Sequence, residues 1–268
     1  MVGKICLVTG ATDGIGKVTA KALAEQGETV VAVGRNPAKI ASVQAEIGST
    51  PGKLEFLKAD LSSLAEIRAL ADEFKQKYDR LHVLVNNAGA LFTSYRESAQ
   101  GIEMTFALNH LSYFLLTNLL LDTIIASAPA RIVNVASDAH NGSTINFDHL
   151  GHKKGYSGWD TYGASKLANI LFTYELARRL HGTGVTVNAV HPGFVDSNFQ
   201  RAAGLNMRGQ LTPEQGADTQ IWLATSKEVE GVTGKYFVRR RETRSSKESY
   251  DPQTARRLWE VSAEMVGL

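Results

Sequence analysis

Short aliphatic and β-branched runs alternate with longer stretches of helical periodicity along this chain, and that alternation leaves few folds open. Residues 5–9, 29–33, 54–59, 81–85, 131–136, 185–190 and 235–239 read as strands. Residues 17–26, 38–47, 62–78, 162–180, 213–225 and 253–266 read as helices, and 101–125 as one long helix or two. Strands separated by helices pair in parallel, because each helix returns the chain to the same end of the sheet. The pattern therefore predicts an α/β fold: a doubly wound parallel sheet of about seven strands with helices on both faces. At 268 residues with 43% hydrophobic content the chain can build one such domain, and no repeat or linker divides it.

In a doubly wound sheet, chemistry gathers where the strands end. The first strand ends in Thr9-Gly10-Ala11-Thr12-Asp13-Gly14-Ile15-Gly16, and a helix follows. Glycines allow a backbone to approach a pyrophosphate closely, and a helix N-terminus offers free N–H groups. Gly10, Thr12, Asp13, Gly14, Ile15 and Gly16 are thus expected to hold a dinucleotide in a Rossmann-type fold. Their G-x-x-x-G-x-G spacing differs from the usual fingerprint. Asp13 is also placed to cap the helix. The second strand ends in Gly34-Arg35-Asn36-Pro37, with a guanidinium where an NAD site commonly carries an acid. Arg suits a 2′-phosphate, so NADP(H) is expected over NAD(H), with Lys17 adding positive charge nearby. Asp60, followed by Leu61, is placed to reach an adenine amino group and to cap the next helix.

Asn86-Asn87-Ala88-Gly89, Ser137-Asp138 and His191-Pro192-Gly193 close later strands at the same edge. The 138–158 loop is long and rich in Gly, Asn and His, as functional loops often are. Tyr162 and Lys166 then stand four apart on one helix, which sets a phenol beside an ammonium. A phenol's reference pKa is about 10, and moving it to neutrality takes about 4 kcal/mol of differential stabilisation. One close cation with a second positive group can supply that, so the pair is a candidate acid/base device.

Taken together these motifs resemble the classical short-chain dehydrogenase/reductase family along the whole chain. Thr9-Gly10 with Gly14 and Gly16 matches its cofactor turn, and Asn86-Asn87-Ala88-Gly89 its sheet motif. Asn109, Ser137, Tyr162 and Lys166 match its catalytic tetrad, and Pro192-Gly193 the turn beside the nicotinamide. Asn109-His110-Leu111, Gly234-Lys235-Tyr236-Phe237 and the 254–262 segment are similar to the retinol dehydrogenase-like branch. The resemblance implies a single domain over 1–268, with a cofactor half of about 1–137 and a catalytic and substrate half of about 138–268. It implies reversible hydride transfer to carbonyls, with lipophilic aldehydes and ketones among the branch's substrates. Tyr162 would move the proton, Lys166 lower the phenol's pKa and bridge to the ribose, and Ser137 orient the substrate oxygen. Asn109 would hold a water one step further out. Asn87, Ala88 and Gly89 would line the cofactor channel, and Val195 and Ser197 would meet the carboxamide. The chain lacks the branch's N-terminal anchor pattern, and its segment after Gly193 is shorter.

The 194–210 segment has no clear pattern and reads as a candidate lid. Trp159, Phe194, Phe199, Leu205 and Met207 point to an apolar substrate pocket. His110, His140, His149, His152 and His191 show no metal-ligand spacing and read as surface or packing residues, so no metal is expected. A net charge of +2 gives no basis for nucleic-acid binding, and Arg239-Arg240-Arg241 with Arg244 and Lys247 reads as a solvated loop. The single cysteine, Cys6, lies in an apolar run and fits a reducing compartment. With no signal-peptide pattern and no membrane span, a cytoplasmic location is expected. The family forms dimers and tetramers through the helices holding Asn109 and Tyr162, and the apolar 114–121 run suits an interface or the core. A catalytically silent NADP(H)-binding sensor or scaffold is the alternative function. A nucleotide-sugar epimerase or dehydratase is disfavoured, since only about 75 residues follow Gly193, too few for a second substrate domain beside the sheet's own last elements.

Overall fold

The first strand, β1 (Ile5–Thr9), feeds α1 (Gly14–Glu25), and the pattern repeats through β2 (Thr29–Gly34), α2 (Pro37–Ile47), β3 (Lys53–Lys58) and α3 (Leu64–Lys77). This is a computed structural model, and it describes residues 3–150 and 153–268. His152 and the His149 side chain lie outside the described residues.

After β4 (Val83–Asn86) the long helical stretch breaks into α4 (Met104–Phe106), a π-helical turn (Ala107–Leu111), α5 (Ser112–Leu119) and α6 (Leu121–Ile125). The sequence reading of one or two helices misses the π turn, which holds Asn109. Then follow β5 (Ala130–Val135), α7 (Gly158–Arg179), β6 (Val185–His191), α8 (Asn198–Ala202) and α9 (Pro213–Thr225). The chain closes with β7 (Lys235–Val238), β8 (Arg241–Glu242) and α10 (Pro252–Val266).

The strands form one sheet in the order β3-β2-β1-β4-β5-β6-β7-β8. The first seven pair in parallel, as expected. The eighth is a two-residue antiparallel addition that the sequence reading lacks. It folds back through Arg239 and Arg240, both left-handed at φ 50 and 59. Arg240 is fastened there by Asp218 and by a main-chain bond to Thr219 Oγ1 at 3.1 Å.

Register aligns the strand ends. Val8 lies opposite Val85, Asn86 opposite Asn134, and Val135 opposite Val190. Gly10, Asn87, Ser137 and Pro192 therefore emerge at one edge, across the β1–β4 switch point where such folds bind ligands. Alternate strand residues feed two cores. Leu7, Val31, Leu84 and Ile132 face one layer, while Cys6, Val8, Val30 and Val133 face the other. Phe114, Leu115, Leu116 and Leu120 are buried within this chain, which assigns that run to the core. The α10 helix covers it, with Trp259 edge-on to Phe114 at 4.9 Å and 5.8 Å from Phe172. Buried side chains tie sheet to helix: Asn86 Nδ2 donates to Asn134 Oδ1 (2.9 Å) and Thr117 Oγ1 (3.0 Å), and Asn134 Nδ2 to Thr173 Oγ1 (2.9 Å).

Candidate active site

A cleft of about 510 Å³ runs along the carboxyl edge of the sheet. Every site residue expected from the sequence lines it except Asn109 and Lys17. At one end stand Gly10, Thr12, Asp13, Gly14, Ile15 and Gly16, with Arg35, Asp60 and Leu61 beyond them. Asn87, Ala88 and Gly89 form the middle. Ser137, Tyr162 and Lys166 stand at the other end with Pro192, Gly193, Val195 and Ser197.

The turn after β1 is shaped for close approach. Gly10 has φ +67 and Gly14 φ +49, and a Cβ on Gly16 would come within 2.3 Å of the Gly10 carbonyl oxygen. Asp13 caps α1, its Oδ1 accepting from Gly14 N at 2.8 Å, as expected. Asn87 clasps the turn from β4: its main-chain N donates to Thr9 Oγ1 (2.8 Å), and its Nδ2 donates to Thr9 O (2.8 Å). The result is an open cradle at a helix N-terminus, which fits the pyrophosphate of a dinucleotide.

The adenosine end departs from expectation in three places. Lys17 is paired with Glu46 at 2.8 Å and does not line the cleft. Lys39 lines it instead, 3.4 Å from Asp13 Oδ2. It lies in the first turn of α2, four residues after Arg35, and reaches the cleft because of the way that turn faces. Asp60 does not cap α3. Ser63 does, while Asp60 Oδ1 accepts from Ser62 N (2.9 Å) and Ser62 Oγ (2.7 Å) and its other oxygen lies 3.9 Å from Arg35.

At the opposite end Tyr162 and Lys166 come from α7, which Ser157 caps by accepting from Asp160 N at 3.3 Å. Lys166 Nζ lies 5.5 Å from the Tyr162 ring centre and donates to Val135 O at 3.1 Å. Ser137 follows β5, its Oγ donating to Asp138 Oδ1 and accepting from Ala139 N, each at 3.2 Å. Gly89 opposes them; a Cβ there would stand 3.4 Å from Lys166 Nζ and 3.2 Å from Asn109 Oδ1.

The electrostatics of this protein alone differ from the sequence reading. Burial raises the Tyr162 phenol well above its usual value, the Ser137 hydroxyl pulls it down and the Asp138 charge raises it. Burial also lowers Lys166 to about 7, so near neutrality much of the charge expected to activate Tyr162 is missing. The phenol is therefore held protonated, a form that can donate.

Asn109 lies behind this end, fully buried. Its Oδ1 accepts from Ala90 N (2.9 Å), and its amide donates to Ala90 O (2.9 Å) and Ser165 Oγ (3.1 Å). One amide hydrogen thus helps fix the segment after Gly89, and the other ties Asn109 to α7. Its carbonyl oxygen accepts from Asn169 Nδ2 at 2.9 Å. Asn169, three residues after Lys166 on the same face of α7, is a contributor the sequence reading missed.

The histidines are more engaged than expected. His191 lines the cleft, its Nδ1 accepting from Asp138 N at 3.2 Å. His110 and His140 are buried with both ring nitrogens hydrogen-bonded. Among the described residues no three His, Cys, Asp or Glu side chains gather as a metal site would require. Trp159, Phe194, Phe199, Leu205 and Met207 all line the cleft beside Tyr162. The 194–210 segment is not patternless. It contains α8, and its neck is closed by Asp196 N to Leu211 O (2.8 Å) and Gln210 N to Phe194 O (2.8 Å).

Comparison with known proteins decides the family. A family model described as short chain dehydrogenase matches residues 4–207. The chain is a short-chain dehydrogenase. Retinol dehydrogenase 14 of Homo sapiens is 42% identical to this dehydrogenase over 294 residues, covering 100% of this chain and 88% of that one. A putative uncharacterized protein from Mycobacterium paratuberculosis superposes with a TM-score of 0.83 at 30% identity, over 99% of this chain and 94% of that one. The Pseudomonas aeruginosa RhlG/NADP active-site complex gives a TM-score of 0.72 at 29% identity, over 93% and 96%. The dehydrogenase is thus an oxidoreductase of the retinol dehydrogenase-like kind. Among its described residues no helix is long and apolar enough to cross a membrane.

Proposed function

We propose that this short-chain dehydrogenase transfers a hydride between NADP(H) and a carbonyl or alcohol carbon, with a lipophilic aldehyde or ketone as substrate. The observation that carries the reading is the single cleft with a phosphate cradle at one end and Ser137, Tyr162 and Lys166 at the other. NADPH, when bound, supplies the hydride. Tyr162 gives its proton to the developing alkoxide in reduction and takes one back in oxidation. The Ser137 hydroxyl turns to the substrate oxygen and holds it against Tyr162. Lys166, held by Val135 O, supplies positive charge beside the phenol when protonated and stands within reach of a ribose.

Preference for NADP(H) rests on Arg35, which faces the cleft with no acid at the end of β2, and on Lys39 beside it. The NADP complex of RhlG and the name of the human retinol dehydrogenase support the cofactor and the substrate class. The apolar Trp159, Phe194, Phe199, Leu205 and Met207 support a lipophilic substrate.

The test follows NADPH consumption with carbonyls graded from short aldehydes to aromatic ketones and retinal, with NADH in parallel. Turnover that rises with apolar size supports the reading. NADPH binding without turnover on any carbonyl would favour a catalytically silent sensor or scaffold. In an active preparation Tyr162→Phe loses more than about tenfold in kcat with the fold intact, since general acid catalysis contributes about 100-fold or more.

A further inference from the structure

His140 does not line the cleft, yet it touches the main chain of a residue that does. It ends the short 3₁₀ turn that Ser137 begins and is 1% exposed. Its Nδ1 lies 2.5 Å from Ser137 O, and a carbonyl can only accept, so Nδ1 carries the hydrogen. Its Nε2 lies 3.0 Å from Ser246 N, which can only donate, so Nε2 is bare. The two contacts select the same tautomer. The ring rests edge-on against buried Tyr236 at 5.1 Å.

Ser246 belongs to a fastened segment. Ser245 Oγ is bonded to Tyr174 Oη (2.7 Å) and Ser249 Oγ (2.6 Å), and Ser249 Oγ donates to Ser246 O (2.7 Å). Tyr250 stacks on Tyr174 at 5.3 Å. Tyr174 lies on α7, the helix that carries Tyr162 and Lys166. A hydrogen-bonded path therefore runs from Ser137 through His140 and Ser246 to that helix.

We propose that His140 is a positioning residue for the reaction, which as the Nδ1–H tautomer fixes the Ser137 main chain and, through Ser246, ties the end of β5 to the helix bearing Tyr162. This rests on the reductase reading above. The serine hydroxyl and the phenol come from different elements, and their separation must hold for both to meet one substrate oxygen. Burial lowers the His140 pKa, in keeping with an imidazole whose two nitrogens face one acceptor and one donor.

The test has two parts. In a ¹⁵N-histidine spectrum of the whole protein at neutral pH, His140 shows a protonated Nδ1 and a bare Nε2. An Nε2–H tautomer or an imidazolium overturns the proposal without reference to activity. Kinetics then compare four variants. His140→Phe keeps a ring against Tyr236 and loses both bonds; kcat falls about 10- to 100-fold, the size of an ångström-scale misplacement, with NADPH affinity near wild type and Tm lowered by the unpaired groups it leaves. His140→Asn places an amide N–H where Nδ1–H stands and recovers kcat to within about fivefold of wild type. Ser246→Pro deletes the N–H that meets His140 while keeping the backbone angle, since Ser246 already has φ −60, within the range of proline; compared with Ser246→Ala, which loses only the hydroxyl and keeps near wild-type kcat, it gives an intermediate loss. Wild-type kcat in His140→Phe, or equal losses in the Phe and Asn variants, overturns the positioning role. If His140→Phe fails to fold, Ser246→Pro and the spectrum still decide. A wild-type protein inactive on every carbonyl counts against the reductase reading instead, while the spectrum still judges His140.

Discussion

Lys166 carries the sharpest consequence at the scale of single residues. Burial alone moves its amine from an ordinary 10.5 to about 7. The unfolded chain then holds the proton more tightly than the folded one between those values, so stability rises with pH across that window. Below about 7 both states are protonated and the cost of burying the cation is fully present. Thermal melts of the cofactor-free protein from pH 7 to pH 10 should therefore show an upward contribution that Lys166→Met abolishes; parallel profiles would refute the assignment. The adenosine end gives a second prediction. Arg35 and Lys39 are each partnered by a carboxylate, Asp60 at 3.9 Å and Asp13 at 3.4 Å, and a 2′-phosphate would compete for both cations. Replacing either with Ser should lower kcat/KM for NADPH about 10- to 100-fold, the worth of one charge-assisted bond, while leaving NADH nearly unchanged. Equal losses with both cofactors would place Arg35 and Lys39 outside cofactor discrimination. Arg35 was legible because the end of β2 has a known duty in such folds. Lys39 was not, because its value depends on which way α2 turns its first residues.

Among the elements, α10 does more than close the chain. Trp259 sits between Phe114 and Phe172, and the Arg179 guanidinium lies 4.0 Å from its ring centre. Truncating a fully buried Trp costs about 3–5 kcal/mol, and this one is only half-buried, so Trp259→Ala should lose about 2–3 kcal/mol in urea unfolding. A loss under about 1 kcal/mol would mean that α10 is held by other contacts. The elements themselves were largely readable, since strand and helix periods are strong local signals. Three features escaped: the π turn at Ala107–Leu111, the two-residue β8 and the α8 helix. Each is set by partners far along the chain. The π turn turns the Asn109 carbonyl to Asn169, Asp218 holds Arg240 at the bend between β7 and β8, and Phe199 of α8 packs against Tyr162. No local period records such pairings.

For the molecule as a whole, the cleft was legible because a parallel sheet brings successive strand ends to one edge, so motifs distant in sequence had to converge. The working charges were not, because burial, which no motif encodes, governs Tyr162 and Lys166. Cys6 offers a probe of the whole. It lies in β1, central in the sheet, 1% exposed, and burial raises its thiol pKa. Labelling by a thiol reagent should follow global unfolding, with a rate that tracks added urea; fast labelling of the native protein would mean that β1 opens on its own. The two ends of the sheet finally bear on how this protein behaves when crowded. An outer strand with free N–H and C=O groups invites another chain to add to it. Here one border is the short β8, made of Arg241 and Glu242, and the other is β3, which carries Lys53, Glu55 and Lys58. Charges on both borders make stacking strand against strand costly, so concentrated solutions should resist the fibrous association that a long, apolar border would seed.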